Sequence, residues 1–259
     1  MSGRIVVVDV GTHKGQEVRL LADRSRDWRR FVFFALLRHR RNVVNAWREA
    51  EEIARAQDVL STKHFVFALV EPVLHPEIMD SLRLSGPVLF LKGVTSAAPA
   101  GEVVLRLAKA GDLGHSIIET KPNLSNETLA TYNFDFRTWL PWLLQSFRVS
   151  HDDIVILRMN AEGVEQGIID WLTDDPSAAK SVQIVMGSTG DIKKCFGKDA
   201  EVAAQSRLTK AGIPFIYFTS NPGSWQPALD SLVAFLGTAF PPASGDTISP
   251  KSRANHEQN

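Results

Sequence analysis

The chain has 259 residues, 44% of them hydrophobic and 22% charged, and its 29 basic and 29 acidic residues give a formal net charge of +0. That balance is globular rather than disordered, excludes attraction of the whole surface to nucleic acid or anionic membrane, and suffices for one sizeable core. The single cysteine, Cys195, excludes an internal disulfide framework or a cysteine-rich zinc site, and no apolar run reaches the roughly 18–20 residues that span a bilayer.

No secretory signal follows Met1, so a soluble, cytoplasmic protein is expected. Residues 4–9 open with a β-branched run without polar alternation, the pattern of a strand covered on both faces. Residues 19–62 have helical character, and within them "VVNAWREAEEIARAQDVL" repeats apolar residues at helical spacing. "HFVFALVEP" predicts a second buried strand closed by Glu71 and Pro72, "PVLFLKG" a third, and "GEVVLRLA" another with some alternation. Residues 111–126 are polar and broken, and read as a loop over one edge or face.

"FDFRTWLPWLLQSF" predicts a short turn and then a helix, with Pro141 near its first turn. "DIVILRMNAEGVEQGIIDWL" reads as a strand running directly into a helix. "VQIVMG" predicts another strand, "AEVAAQSRLTKAG" a helix ended by Gly212, "IPFIYFTS" a strand and "WQPALDSLVAFLG" a last helix. Residues 241–259 lack apolar periodicity and predict a disordered tail. Strands alternating with helices predict an α/β fold: a Rossmann-like, doubly wound, mostly parallel sheet. Residues 1–240 form one domain in this reading, with a helical insertion at 19–62 between the first two strands.

In such a sheet, ligands sit at the carboxyl ends of the strands. The segment "DVGTHKG" lies at the first of these ends but lacks the G-x-G-x-x-G of a dinucleotide loop. Gly11 allows a tight turn and Gly15 a close approach at the helix start. Asp9 repels a pyrophosphate and attracts an ammonium or sulfonium, and S-adenosylmethionine carries both cations and no phosphate. Glu71, at the second strand end, stands where an acceptor for ribose hydroxyls is needed.

The chain resembles the FkbM-type S-adenosylmethionine-dependent methyltransferases, which have a class I methyltransferase fold and mostly methylate hydroxyl oxygens. "VVDVGTHKGQE" is similar to that family's "DVGANIG", "FDFRTWL" to its "xDxxxWL", and "IVILRMNAEGVEQGII" to its "LLKIDVEGAE". The resemblance implies that Asp9, Gly11, Thr12, His13 and Gly15 contact the methionine end of the cofactor, while Glu71 holds the ribose. It implies that Asn160, Glu162 and Gly163 line the floor beside the sulfonium, and that Gly114, His115 and Ser116 lie near the active-site mouth. Arg158 and Asn160 stand where the family has Lys and Asp, and Asn160 keeps the shape but loses the charge. "VMGSTG" also lacks the family's later acid-and-histidine pattern.

Hydroxyl methylation needs an in-line approach and a proton acceptor. Candidates for the acceptor are His115 first, because histidine titrates near neutrality, then His13, Asp135 and Glu162. Glu165 lies one turn from Glu162 and reads equally as a first-turn helix charge. The expected catalytic set is His115, Glu162 and Asn160, with no metal. The expected activity is O-methylation of a hydroxyl on a sugar, polysaccharide precursor or secondary metabolite, so the partner is a small-molecule or carbohydrate acceptor. A catalytically silent relative that keeps the fold for binding or assembly is the alternative. The insertion segment "RSRDWRRFVFFALLRHRR" packs on the sheet with solvated arginines, or contacts an anionic lipid-linked sugar, a membrane surface or a partner protein; no nucleic-acid partner is expected.

Overall fold

Uninterrupted β-branched and aromatic runs form strands when both faces are covered, and the chain supplies several. The computed structural model describes residues 3–81, 83, 86–109 and 114–240. The chain begins with β1 (Ile5–Val10), α1 (Gln16–Ala22), α2 (Arg26–Arg40), α3 (Val43–Leu60), β2 (Phe65–Glu71) and α4 (Ile78–Ser81). It continues with β3 (Val88–Lys92), β4 (Val94–Ser96), β5 (Gly101–Ala108), β6 (Leu124–Asp135), α5 (Phe136–Ser146) and β7 (Ile154–Met159). It ends with α6 (Glu165–Asp174), α7 (Pro176–Ser181), β8 (Ile184–Gly187), α8 (Gly190–Phe196), α9 (Lys198–Lys210), β9 (Phe215–Tyr217), a 3₁₀ turn (Pro222–Ser224) and α10 (Trp225–Ala239).

Six strands form one sheet in the order β3-β2-β1-β7-β8-β9, and every neighbouring pair in it is parallel. The strand order reverses between β1 and β7, which defines a switch point at their carboxyl ends. All residues of β1, β2, β7 and β8 are buried. One face packs against α2, α3 and α10, with Trp28, Leu36, Ile53 and Trp225 against Val7 and Phe67. The other packs against α5, α6 and α9, with Leu140, Ile168 and Leu208 against Val8 and Leu157. The fold is therefore α/β, with a mostly parallel sheet between helical layers, compatible with the Rossmann-like expectation.

The insertion is helical as read, and α2 seats Trp28, Val32 and Leu36 on the core at i, i+4, i+8 spacing while its arginines stay exposed or partly so. None of its residues lines the crevice described below. Two expectations need correction. Residues 114–126 do not simply loop over an edge: Ser116 bridges to Arg106, and β6 begins at Leu124. β5 and β6 form an antiparallel ribbon that joins β4 in a second, three-stranded sheet. Pro141 lies within α5 rather than in its first turn; the cap at Asp135 starts the helix five residues earlier than that reading required. The expected tail at 241–259 lies outside the described residues. Among the described residues, no helix is long and apolar enough to cross a membrane.

Candidate functional site

The β1–α1 turn is built around a close approach. The backbone N–H groups of Gly11 and Thr12 both donate to the Val70 carbonyl, at 3.0 and 3.2 Å. Gly11 has φ +75°, and a Cβ there would sit 2.2 Å from the carbonyl oxygen of Asn160. Only glycine lets the turn lie against the tip of β7. His13 follows with φ 54°, and its backbone N–H donates to Glu71 Oε2 at 2.7 Å. Glu71 Oε1 accepts from the Val73 N–H at 3.0 Å, so the end of β2 is tied to both flanking loops.

These bonds shape the protonation of the site. Burial pushes the Glu71 carboxyl up to about 7, against the pull of the Val73 and His13 amides. Burial, with the neighbouring His75 and Lys14, pushes His13 down to about 4, so its imidazole is neutral at physiological pH. The His13 and His75 rings meet edge to face with centroids 4.7 Å apart. Among the described residues, the buried Nε2 of His13 has no hydrogen-bond partner.

Asp9 behaves differently from the expectation. Its side chain is 0% exposed and accepts from Arg158 Nη1 at 2.8 Å, while the same nitrogen donates to the Gly11 carbonyl at 2.8 Å. Arg158 Nη2 lies 2.7 Å from Glu17 Oε1. The guanidinium is 1% exposed, and its two carboxylates keep it firmly protonated. Burial raises Asp9 and Glu17, and Arg158 opposes that shift. Asp9 therefore spends its charge inside the protein, locking the β1–α1 turn to β7, and does not face a ligand. Thr12 is also buried, with Oγ1 donating to the Asp9 carbonyl at 3.1 Å, and neither Thr12 nor Gly15 reaches the cavity.

The segment 160–164 forms the opposite wall. Asn160 N–H donates to the Val10 carbonyl at 3.0 Å, continuing the β1–β7 ladder by one step. Glu162 then takes φ 61° and Gly163 φ 110°. A non-glycine residue in the left-handed region costs about 1–2 kcal/mol and persists only when its surroundings hold it there. The fully buried Glu165 supplies that hold: its carboxylate accepts from Ala161 N–H at 2.5 Å and Gly163 N–H at 2.6 Å. Burial pushes Glu165 up to about 7. Its role is to shape the turn rather than to touch a ligand.

Glu162 pairs with the buried Lys121, which also donates to the Gly114 carbonyl. Burial, then Asp191, raises the Glu162 carboxyl, and Lys121 counters them. Ser116 Oγ donates to the Glu162 carbonyl at 2.7 Å, and the Ala108 N–H donates to His115 Nδ1 at 2.9 Å. With Nδ1 accepting, the proton of neutral His115 sits on Nε2, which makes that nitrogen a donor. The expectation of His115 as a general base is thereby corrected. Asp135 is corrected too: it caps α5 and pairs with Arg137, away from the cavity.

These elements enclose a cavity of about 370 Å³ at the carboxyl ends of β1, β2 and β7, within the size range of ligand pockets. Its polar wall includes His13, Glu71, His115, Asn160 and Glu162, with Gly11 at the base. Val94, Thr95 and Leu105 from the second sheet contribute to its wall. Of the residues expected at a site, the structure brings together Gly11, His13, Glu71, Gly114, His115, Ser116, Asn160 and Glu162, while Asp9, Thr12, Gly15 and Gly163 lie outside the cavity lining. Lys121 was not anticipated; as a lone lysine in a polar segment it gives no signal of burial. Arg158 did carry one, because an arginine inside the apolar run "IVILRMN" requires a buried acid. Among the described residues, no group of three His, Cys, Asp or Glu side chains is placed to hold a metal ion.

No family model, curated protein or solved structure matches the chain.

Proposed function

We propose that the crevice binds S-adenosylmethionine and that the protein transfers its methyl group to a hydroxyl of a small-molecule or carbohydrate acceptor. One observation carries this reading. The described cavity wall holds two carboxylates, Glu71 and Glu162; Lys121 offsets the charge of Glu162, and Glu71 makes no ion pair among the described residues. Such a wall attracts a cationic nucleoside and repels a polyphosphate. The residues fit the group on geometry as well. Glu71 lies at the end of β2, and the two amides it accepts leave further lone pairs for ribose hydroxyls. Gly11 and His13 lie on the β1 side, and Asn160 and Glu162 on the β7 side.

When bound, S-adenosylmethionine supplies a methyl group activated on a sulfonium. The chain supplies orientation and a proton acceptor. Glu162 is the best-placed acceptor: it lines the cavity, burial raises its carboxyl, and Glu165 fixes its backbone. Lys121, beside it, stabilises the carboxylate between turnovers. His13 is too weakly basic for that proton at neutral pH.

The all-parallel strand order favours a second reading, a nicotinamide dinucleotide, because the same order recurs in dinucleotide-binding folds. The turn "DVGTHKG" lacks the G-x-G-x-x-G spacing that a pyrophosphate loop uses, which disfavours that reading. Calorimetry with S-adenosylmethionine, its demethylated product and NAD separates the two. Binding of the first pair with no NAD binding supports the proposal, and the reverse removes it. Transfer of labelled methyl groups to a cell extract then distinguishes an enzyme from a silent binding module.

A further inference from the structure

The α2–α3 hairpin carries a surface that packing on the sheet does not explain. Arg29, near the start of α2, pairs with Asp58, near the end of α3, at 3.1 Å, so the two helices run antiparallel, and α3 ends where the chain enters the amino end of β2. The α2–α3 tip therefore lies on the crevice side of the sheet. His39 there sits against Gly223, where an added Cβ would be 2.8 Å from its Nε2. Gly223 is three residues from Ser220, which lines the crevice. The tip and the crevice share one rim.

That tip is both apolar and basic. Phe34 is 63% exposed, Val43 61%, Val44 74% and Trp47 58%. Phe33 links the two helices across the patch, meeting Phe34 at 5.4 Å and Trp47 at 5.8 Å between centroids, and Val43 and Val44 lie four and three residues before Trp47 on α3. Arg30, Phe34 and Arg38 fall at i, i+4 and i+8 on the outward face of α2, Arg41 caps its carboxyl end, and all four are exposed. Residues 26–48 contain seven arginines and one acid, Asp27, although the whole chain is neutral. Arg40 alone of the seven is held by a buried carboxylate, Glu49.

We propose that this tip docks on an anionic phospholipid surface, with Phe34, Val43, Val44 and Trp47 entering the interface and Arg30, Arg38, Arg41 and Arg48 meeting the headgroups. Charge complementarity selects this occupant. A second copy brings arginine against arginine and is repelled. A nucleic acid satisfies the arginines but leaves two branched aliphatic side chains in water. A bilayer interface takes both sets, since apolar side chains enter the acyl boundary while basic residues remain among headgroups. The inference is independent of what the crevice binds.

The test is sedimentation of the full chain with vesicles of phosphatidylcholine, with and without phosphatidylserine. The expected result is binding to the anionic vesicles alone, weakened by raised salt. Arg38→Gln/Arg41→Gln lowers the partition coefficient about 25-fold, at about fivefold per arginine, and Val44→Asp abolishes binding. All these side chains are exposed, so circular dichroism of the variants matches that of the parent chain. Three results overturn the proposal: no sedimentation with anionic vesicles at low salt, sedimentation that Val44→Asp leaves unchanged, or binding of single-stranded polynucleotide in place of vesicles.

Discussion

Replacing Arg158 by methionine keeps the length of a buried side chain and deletes the cation that Asp9 and Glu17 share, at contacts of 2.8 and 2.7 Å. A carboxylate stranded in so dry a place takes up a proton instead of remaining charged. At pH 7, protonating an aspartate of ordinary pKa costs about 4 kcal/mol and a glutamate slightly less. Those two costs set a ceiling of about 8 kcal/mol on the loss of stability. Breaking a buried pair commonly costs about 3–5 kcal/mol, below that ceiling.

The pH dependence is the sharper signature. In Arg158→Met the folded-state pKa values of Asp9 and Glu17 rise further above their unfolded values. The folded state then holds protons that the unfolded state releases. The folded variant is therefore favoured below the unfolded pKa values and disfavoured as pH rises through the folded ones. Each such group contributes about 1.4 kcal/mol per pH unit, so the deficit relative to the parent shrinks by up to about 2.7 kcal/mol per unit from pH 7 to pH 5. Urea unfolding followed by tryptophan fluorescence at pH 5, 6 and 7 measures it. A deficit under about 1 kcal/mol at pH 7, or one that does not change with pH, refutes the argument. Asp9→Asn/Glu17→Gln/Arg158→Met removes all three charges and recovers most of the loss.

Three further predictions follow from the site. Glu71, held at about 7, gains charge as pH rises from 6 to 8. Affinity for S-adenosylmethionine accordingly rises up to about tenfold over that range by calorimetry, and Glu71→Gln flattens the profile; a parent profile already flat removes Glu71 from the site. Glu165→Ala strands the amides of Ala161 and Gly163. It lowers stability by about 2–5 kcal/mol and speeds hydrogen exchange at Gly163, and unchanged exchange there contradicts the proposed hold on the turn. Nitrogen-15 NMR of neutral His115 finds the proton on Nε2; a proton on Nδ1 restores it as a base candidate.

Much of the central sheet can be read from residues alone. β1, β2, β7 and β8 are buried at every position, and continuous apolar runs are the direct signature of that environment. β6 is different: most of its residues are exposed or half-buried, because it belongs to a ribbon outside the main sheet. "LSNETLATYNFD" therefore shows neither a buried run nor a clean alternation. α8 is only seven residues long, too short for a helical period to emerge. At the site, Gly11 and Glu71 were legible because a tight turn and a strand-end acid are local features. The fate of Asp9 was not, since its partner Arg158 lies 149 residues away and only the β1–β7 register brings them together.

That register has a consequence for biosynthesis. One edge of β1 is covered by β2, close in the chain, but the other waits for β7. At about 5–20 residues per second, a ribosome needs on the order of 10 s to make the intervening stretch. A nascent chain must meanwhile keep an apolar strand edge from pairing with a stranger. Before β7 is made, Asp9 has no Arg158 to pair with, and an inward-pointing charge of that kind disfavours pairing of a strand with a stranger.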